Sequence, residues 1–152
     1  MQVDFHSGVA DTLEHACRLL RKALRQGARV QVCGGPQALD ALDQALWTRD
    51  PQAFLPHLRW RGDSAPPAAL HRTPVWLIAS GTPWPPGVPP AQVLVNLGPQ
   101  VPGEVELSSQ AVRVIEIVGD DPAQRQSGRL RWRHYLERGL QPAHHAFSGA
   151  PE

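Results

Sequence analysis

The chain has 152 residues, of which 41% are hydrophobic and 19% are charged, and its formal net charge is +1. This length and composition fit one globular domain with a single core, and a net charge near zero excludes nucleic-acid binding by overall charge. Nearly all the basic residues are arginine, since Lys22 is the only lysine. Clustered arginines favour carboxylate or phosphate ligands, although a G+C-rich genome produces the same bias.

The cysteines and the N-terminal residues bear on where the protein acts. Cys17 and Cys33 lie in apolar segments that we expect to be buried, which indicates reduced thiols; a disulfide between them is the less favoured alternative. The N-terminal residues lack the pattern of a secretory signal, and no apolar run is long enough to span a membrane. We therefore expect a cytoplasmic protein with no membrane partner.

The spacing of apolar residues alternates along the chain between the period of a strand and the period of a helix. The predicted elements are a strand at 3–6, a helix at 9–26, a strand at 29–33, a helix from 36 to about 47, strands at 74–79, 92–97 and 112–118, and a helix at 121–138.

The remaining segments are predicted to be irregular. Residues 48–74 and 98–110 contain many turn-forming residues, and the proline-rich residues 83–102 form a loop. Alternating strands and helices predict an α/β fold over residues 1–140: a single-domain open, mostly parallel sheet with helices on both faces. Residues 141–152 are predicted to form a flexible C-terminal tail.

The last predicted helix carries an unusual stripe of side chains. Arg125, Arg129 and Trp132 are spaced i, i+4, i+7 and fall within about 60° of one another around the helix. Exposed arginine and tryptophan on one face are typical of a binding surface, although pairing with acidic residues of the same domain is an alternative. The opposite side is smaller or less charged and is expected to face the sheet: Ala123, Ser127, Leu130 and His134.

A second aromatic segment runs from the end of the second predicted helix into the next loop. It contains Trp47, Phe54, Pro56 and His57. These side chains form either a buried satellite cluster or an exposed site for a partner. The sequence alone favours the buried alternative, because tryptophan is highly buried on average.

No pattern of residues requires an enzyme. The Gly34-Gly35 turn between a strand and a helix is placed where a Rossmann-like fold binds phosphate, but neither glycine-rich nucleotide fingerprint is present. A nucleotide-binding enzyme that uses this turn is kept as the alternative function, and a direct binder of single-stranded DNA as a third. Ser80 lacks a nucleophile-elbow motif, and no cysteines or histidines have zinc-site spacing, so we expect no catalytic residue, cofactor or metal.

In this order and on this pattern of elements, the two segments resemble the chi subunits of bacterial DNA polymerase III. The resemblance runs from Val3 to about Leu140 and is sharpest over residues 39–57 and 114–139. It implies a Rossmann-like fold without a nucleotide site and a non-catalytic accessory subunit of the clamp-loader assembly within the DNA polymerase holoenzyme. The implied partners are the acidic C-terminal tail of single-stranded DNA-binding protein, the psi subunit or an equivalent, and in some bacteria an accessory helicase.

The resemblance also assigns the two segments to partners. The site for the acidic tail corresponds to Val118, Arg125, Arg129 and Trp132. The family often has lysine and tyrosine where this chain has Arg125 and Trp132, which are conservative departures. The psi or helicase site corresponds to Trp47, Phe54, Pro56 and His57, and tight direct binding of DNA is not expected.

Overall fold

The structure, a computed structural model, describes residues 1–49, 54–103, 105 and 110–147. Within these residues, seven strands form one sheet in the order β3-β4-β2-β5-β6-β1-β7, and every neighbouring pair is parallel. The predicted α/β fold with an open parallel sheet is confirmed. The elements are β1 (Gln2–Val9), α1 (Thr12–Arg25), β2 (Val30–Gly34), α2 (Pro36–Thr48), β3 (His57–Trp60), β4 (Val75–Ala79), β5 (Val93–Asn96), β6 (Arg113–Gly119), α3 (Pro122–Glu137) and β7 (Ala143–Ala146).

The helices cover both faces of the sheet and create two cores. On one face, Leu20 of α1 and Leu39 of α2 pack with alternate residues of the central strands. On the other face, Tyr135 of α3 packs with the intervening strand residues, since successive side chains of a strand point to opposite faces. Cys17 and Cys33 are buried in different cores and form no disulfide with each other, as predicted.

The ends of the helices follow the sequence signals. An aspartate caps α1, where Asp11 Oδ1 accepts a hydrogen bond from the backbone N–H of Glu14 at 3.0 Å. The same arrangement begins α3, where Asp121 Oδ1 accepts from the N–H of Gln124 at 2.9 Å. Proline 122 occupies the first turn of α3, where its missing N–H is not needed. None of the helices within the described residues is both long and apolar enough to cross a membrane.

Both edge strands depart from the prediction. Residues 57–60 were predicted to be irregular but form β3, which pairs with β4. Residues 143–146 were predicted to lie in a flexible tail but form β7, which pairs with β1. All four residues of β7 are exposed. Its sequence, Ala-His-His-Ala, also lacks the alternation of apolar and polar residues that indicates a strand. Residues 148–152 of the predicted tail lie outside the described residues.

Candidate protein-binding surfaces

The rotation of α3 about its axis decides which of its side chains a partner can reach. Gly128, Arg131 and Tyr135 are the buried residues of this helix, and Trp132 is half-buried beside them. The prediction that the other side of α3 faces the sheet is therefore wrong. Of the residues expected to be buried, Leu130 is 54% exposed, Ala123 and His134 are also exposed, and Ser127 is half-buried.

A buried ionic network explains this rotation. Glu116 of β6 is fully buried, and its carboxylate accepts hydrogen bonds from Arg131 Nε at 2.8 Å and from Tyr135 Oη at 2.7 Å. Asn96 Nδ2 donates a third bond to the same carboxylate at 2.9 Å. A buried carboxylate is stable only when hydrogen-bond donors surround it. The side of α3 that carries Arg131 and Tyr135 therefore faces the sheet. Burial and the adjacent Glu116 carboxylate raise the pKa of the Tyr135 hydroxyl, which remains protonated as a donor.

Gly128 sets the distance between α3 and the sheet. A Cβ atom placed on Gly128 would lie 2.9 Å from Cγ1 of Val118, closer than real side-chain contacts allow. Val118 at the end of β6 therefore lies directly beneath the helix and is only 4% exposed. Val118 lies next to the stripe of side chains on α3, as expected. Its side chain packs beneath the helix, however, and exposes little surface to a ligand.

The outward side of α3 brings Arg125, Arg129 and Trp132 together, and we call these three residues the α3 surface. Arg125 is engaged locally, since its Nη2 lies 3.2 Å from Oδ1 of Asp120 and its Nε donates to the Asp120 carbonyl oxygen at 2.9 Å. Arg129 is exposed, and among the described residues it has no hydrogen-bond or ion-pair partner. The two guanidinium groups thus differ in how readily they can meet an anionic ligand.

Trp132 packs against the sheet, and part of its indole remains exposed. Its ring meets the ring of Phe5 edge to face, with centroids 5.1 Å apart and planes inclined by 64°. The ring of His144 in β7 lies 6.3 Å from the indole on another side. The sequence did not predict His144 as a neighbour of this surface, because residues 143–146 lack the pattern of a strand. The adjacent pair of histidines, His144 and His145, was a feature of this segment that could have drawn attention to it.

The second candidate surface lies at the junction of α2 and β3. Trp47 is 54% exposed and Phe54 is 63% exposed, with ring centroids 5.6 Å apart. The interpretation of these rings as a buried cluster is therefore wrong, and we call the pair the aromatic surface. Residues 50–53, which connect the two, lie outside the described residues.

His57 supports the aromatic surface from beneath. Its ring centroid lies 4.8 Å from that of Trp47, and its side chain is completely buried. Its Nε2 lies 2.9 Å from Oδ1 of Asp43, and its Nδ1 lies 2.7 Å from the Leu55 carbonyl oxygen. These bonds connect β3 to α2 and hold the Trp47 ring outward. Pro56 is half-buried, so the two exposed rings form most of the accessible aromatic area.

The two surfaces lie at opposite ends of the sheet. The aromatic surface is beside β3 at one edge, whereas Trp132 of the α3 surface packs on Phe5 of β1, the strand next to the other edge. At about 4.8 Å between strands, β3 and β1 are roughly 24 Å apart. The two surfaces therefore share no residues.

Neighbouring strands pack against one side of the Gly34-Gly35 turn. The carbonyl oxygen of Gly34 accepts a hydrogen bond from the N–H of Ser80 at 2.9 Å, and a Cβ on Gly34 would meet Cβ of Leu97 at 3.3 Å. A Cβ on Gly35 would meet no described atom within 4 Å, so the start of α2, where a Rossmann-like site would hold phosphate, is open. What the nucleotide-binding alternative lacks is a glycine-rich fingerprint in the sequence.

Comparison with known proteins shows the family to which the chain belongs. The family model described as "DNA polymerase III chi subunit, HolC" matches residues 1–143. The chain belongs to the family of DNA polymerase III chi subunits. A relative from Pseudomonas aeruginosa, DNA polymerase III subunit chi, is 38% identical over 128 residues, which cover 84% of this chain and 80% of the relative.

A solved structure of different sequence shares this fold. The C-terminal domain of the DEAD-box protein Dbp5 superposes with a TM-score of 0.61 at 10% identity, over 96% of this chain and 90% of that one. At this identity the likeness concerns the fold alone. Family membership of the present chain therefore rests on its sequence.

Proposed function

We propose that the protein is a non-catalytic accessory subunit of the replicative DNA polymerase that links the clamp-loader assembly to single-stranded DNA-binding protein. In this proposal the α3 surface binds the acidic C-terminal tail of that protein in the cytoplasm. Family membership supports the role in replication. The observation that carries the tail site is one helix face on which the guanidinium of Arg129, without a partner among the described residues, lies beside the half-exposed indole of Trp132.

The chemistry of this face suits a peptide that ends in acidic residues and an aromatic carboxylate. Arg129 is free to donate charge-assisted, bidentate hydrogen bonds to a carboxylate. The indole of Trp132, held edge to face on Phe5, offers an apolar wall for the terminal ring. So small a contact fits affinity in the micromolar range, roughly 8 kcal/mol, with strong dependence on salt. Several tails displayed together on coated DNA raise the effective affinity without new contacts.

The aromatic surface is the proposed site for the second partner, the psi subunit or its equivalent, or an accessory helicase. Two large exposed rings over a buried histidine have the composition of a protein-protein hot spot. Its place beside β3, away from Trp132 over β1, supports a molecule with one site for each partner. This separation is what an adaptor requires.

A peptide titration tests the tail site. We expect Arg129→Ala combined with Trp132→Ala to abolish binding of an acidic peptide with a C-terminal phenylalanine, measured by isothermal titration calorimetry. The matched control is Arg18→Ala, which removes the same charge from α1 on the other face of the sheet. The proposal fails if the double variant keeps the wild-type affinity with an unchanged circular dichroism spectrum, or if bare single-stranded oligonucleotide binds tightly at physiological salt.

A capture experiment from native lysate assigns each surface to its partner. Arg129→Ala should lose single-stranded DNA-binding protein and retain the clamp-loader partner. Phe54→Ala should do the reverse, because its ring is 63% exposed and contributes little to the fold. Loss of both partners in either single variant would contradict two independent surfaces.

A further inference from the structure

A cavity of about 260 Å³ lies between α1 and the sheet, on the face opposite α3. Much of its wall is aliphatic, because residues of α1 face the first halves of the central strands across it, and Phe147 adds an aromatic ring. Alanines at positions 23 and 28 leave space that larger side chains would fill. The apolar lining residues that matter most are Leu20, Ala23, Val30, Val95 and Ile115.

Two permanently positive side chains line this cavity, Lys22 and Arg113. His6 and His145 lie beside them, and no aspartate or glutamate lines the cavity among the residues that the structure describes. One carboxylate lies behind the rim: Asp4, only 2% exposed, binds Arg113 Nε at 2.8 Å and His145 Nε2 at 3.0 Å. Asp4 therefore offsets the charge of Arg113.

Lys22 is left without an acidic counterpart. It is exposed on the last turns of α1, and no described carboxylate forms an ion pair with it. The acidic residue nearest in the helix pattern, Glu14, is already shared among Arg18, Arg21 and Arg49. The cavity thus combines an aliphatic interior with one uncompensated positive charge at its opening.

We propose that this cavity is a binding site for a small amphiphilic monocarboxylate, with its aliphatic tail inside and its carboxylate at Lys22. At roughly 30 Å³ for each water-sized group, the volume holds about eight or nine such groups, the size of a medium-chain carboxylate. A neutral amphiphile fills the same interior but makes no ion pair. A cationic amphiphile meets Lys22 and Arg113 with like charge, and the net charge of the rim favours one negative charge on the ligand.

Ligands of matched length test the proposal on the full chain. Octanoate, 1-octanol and octylammonium are titrated while backbone amide shifts are followed by NMR. Octanoate should give saturable shifts at residues 19–28 and 113–115, 1-octanol should bind about tenfold more weakly, and octylammonium should not bind. Equal affinities for octanoate and 1-octanol, or no saturable shifts with octanoate, would overturn the site.

Variants separate the charge from the cavity. Lys22→Gln should weaken octanoate about tenfold without changing 1-octanol, and Lys22→Arg should restore octanoate binding. Ala23→Leu should fill the cavity and abolish both ligands while the amide spectrum stays dispersed. Unchanged octanoate affinity in Lys22→Gln refutes the proposal on its own, even if Ala23→Leu disturbs the fold. These outcomes are independent of tail binding at the α3 surface.

Discussion

At the scale of single residues, the two arginines of the α3 surface are unequal although their spacing makes them look equivalent. The Arg125 guanidinium already contacts both the carboxylate and the backbone carbonyl oxygen of Asp120. Arg129 has no such partner among the described residues. An acidic peptide must compete with Asp120 for the first guanidinium but not for the second. The free energy of tail binding should therefore depend more on Arg129.

The different surroundings of the two arginines predict which substitutions weaken peptide binding and which one strengthens it. Arg129→Ala should weaken the acidic peptide at least tenfold, whereas Arg125→Ala should weaken it less. Removing the competitor by Asp120→Asn should strengthen binding by a few-fold, since an exposed ion pair is worth about 0.2–1 kcal/mol. Calorimetric titrations of the three single variants at one ionic strength provide the comparison. A larger loss for Arg125→Ala than for Arg129→Ala would show that the Asp120 contact does not compete.

At the scale of elements, the seating of α3 depends on Gly128. Alanine normally stabilises a helix interior by about 0.5–1 kcal/mol relative to glycine. At this position the added Cβ would meet Val118 at 2.9 Å, so Gly128→Ala should instead destabilise the protein by about 1–3 kcal/mol. Urea unfolding measures the free energy, with Gln126→Ala on the exposed side of α3 as the control. A stabilised Gly128→Ala would mean that α3 can move away from β6 at no cost.

The ionic network beneath α3 gives a second prediction at this scale. Glu116→Leu leaves the buried guanidinium of Arg131 without its partner and should cost about 3–5 kcal/mol in urea unfolding. Adding Arg131→Met removes that unpaired charge and should recover part of the loss. The free energies of unfolding lost in Glu116→Leu and in Arg131→Met should not add up in the double variant. A loss equal to their sum would show that the two side chains do not act as a pair.

The same network explains what the sequence could and could not predict. The three helices, the five strands β1, β2, β4, β5 and β6, and the cap of α3 follow local rules, so they could be predicted. The inward side of α3 could not, because Arg131 is buried against Glu116 and ordinary periodicity assigns a charged residue to the outside. Strand β7 was missed for a related reason, since tertiary pairing with β1 stabilises it and its own residues, two alanines and two histidines, are all exposed.

At the scale of the whole molecule, His6 of β1 connects elements from both ends of the chain. Its Nδ1 lies 2.8 Å from Nε2 of His15 in α1, and its ring packs near those of His145 and Phe147. Charged groups also face it, with Asp4 on the same strand and Arg113 on β6. One titrating side chain thus joins α1, β1 and the C-terminal edge of the sheet.

Burial first, and then the charges of His15 and His145, lower the pKa of His6 to about 4 from its ordinary value of 6.5. Burial also lowers the pKa of its hydrogen-bonded partner His15. Between pH 6.5 and 4 the unfolded chain therefore binds a proton at His6 that the folded protein excludes. The free energy of unfolding must fall as the pH is lowered through this window, by about 2 kcal/mol at pH 5 from His6 alone.

Urea unfolding at pH 7.5 and pH 5 tests this dependence on the full chain. His6→Gln should lose less stability between the two pH values than the wild type, because the titrating group is gone while Asp4 and His15 remain. His134→Gln is the matched control, since it removes an exposed histidine of α3. The His134→Gln variant should lose more stability between the two pH values than His6→Gln does, because it retains His6. If His6→Gln and wild type lose the same free energy, the acid sensitivity comes from other groups, and the His6 contacts hold β7 and α1 together without titrating.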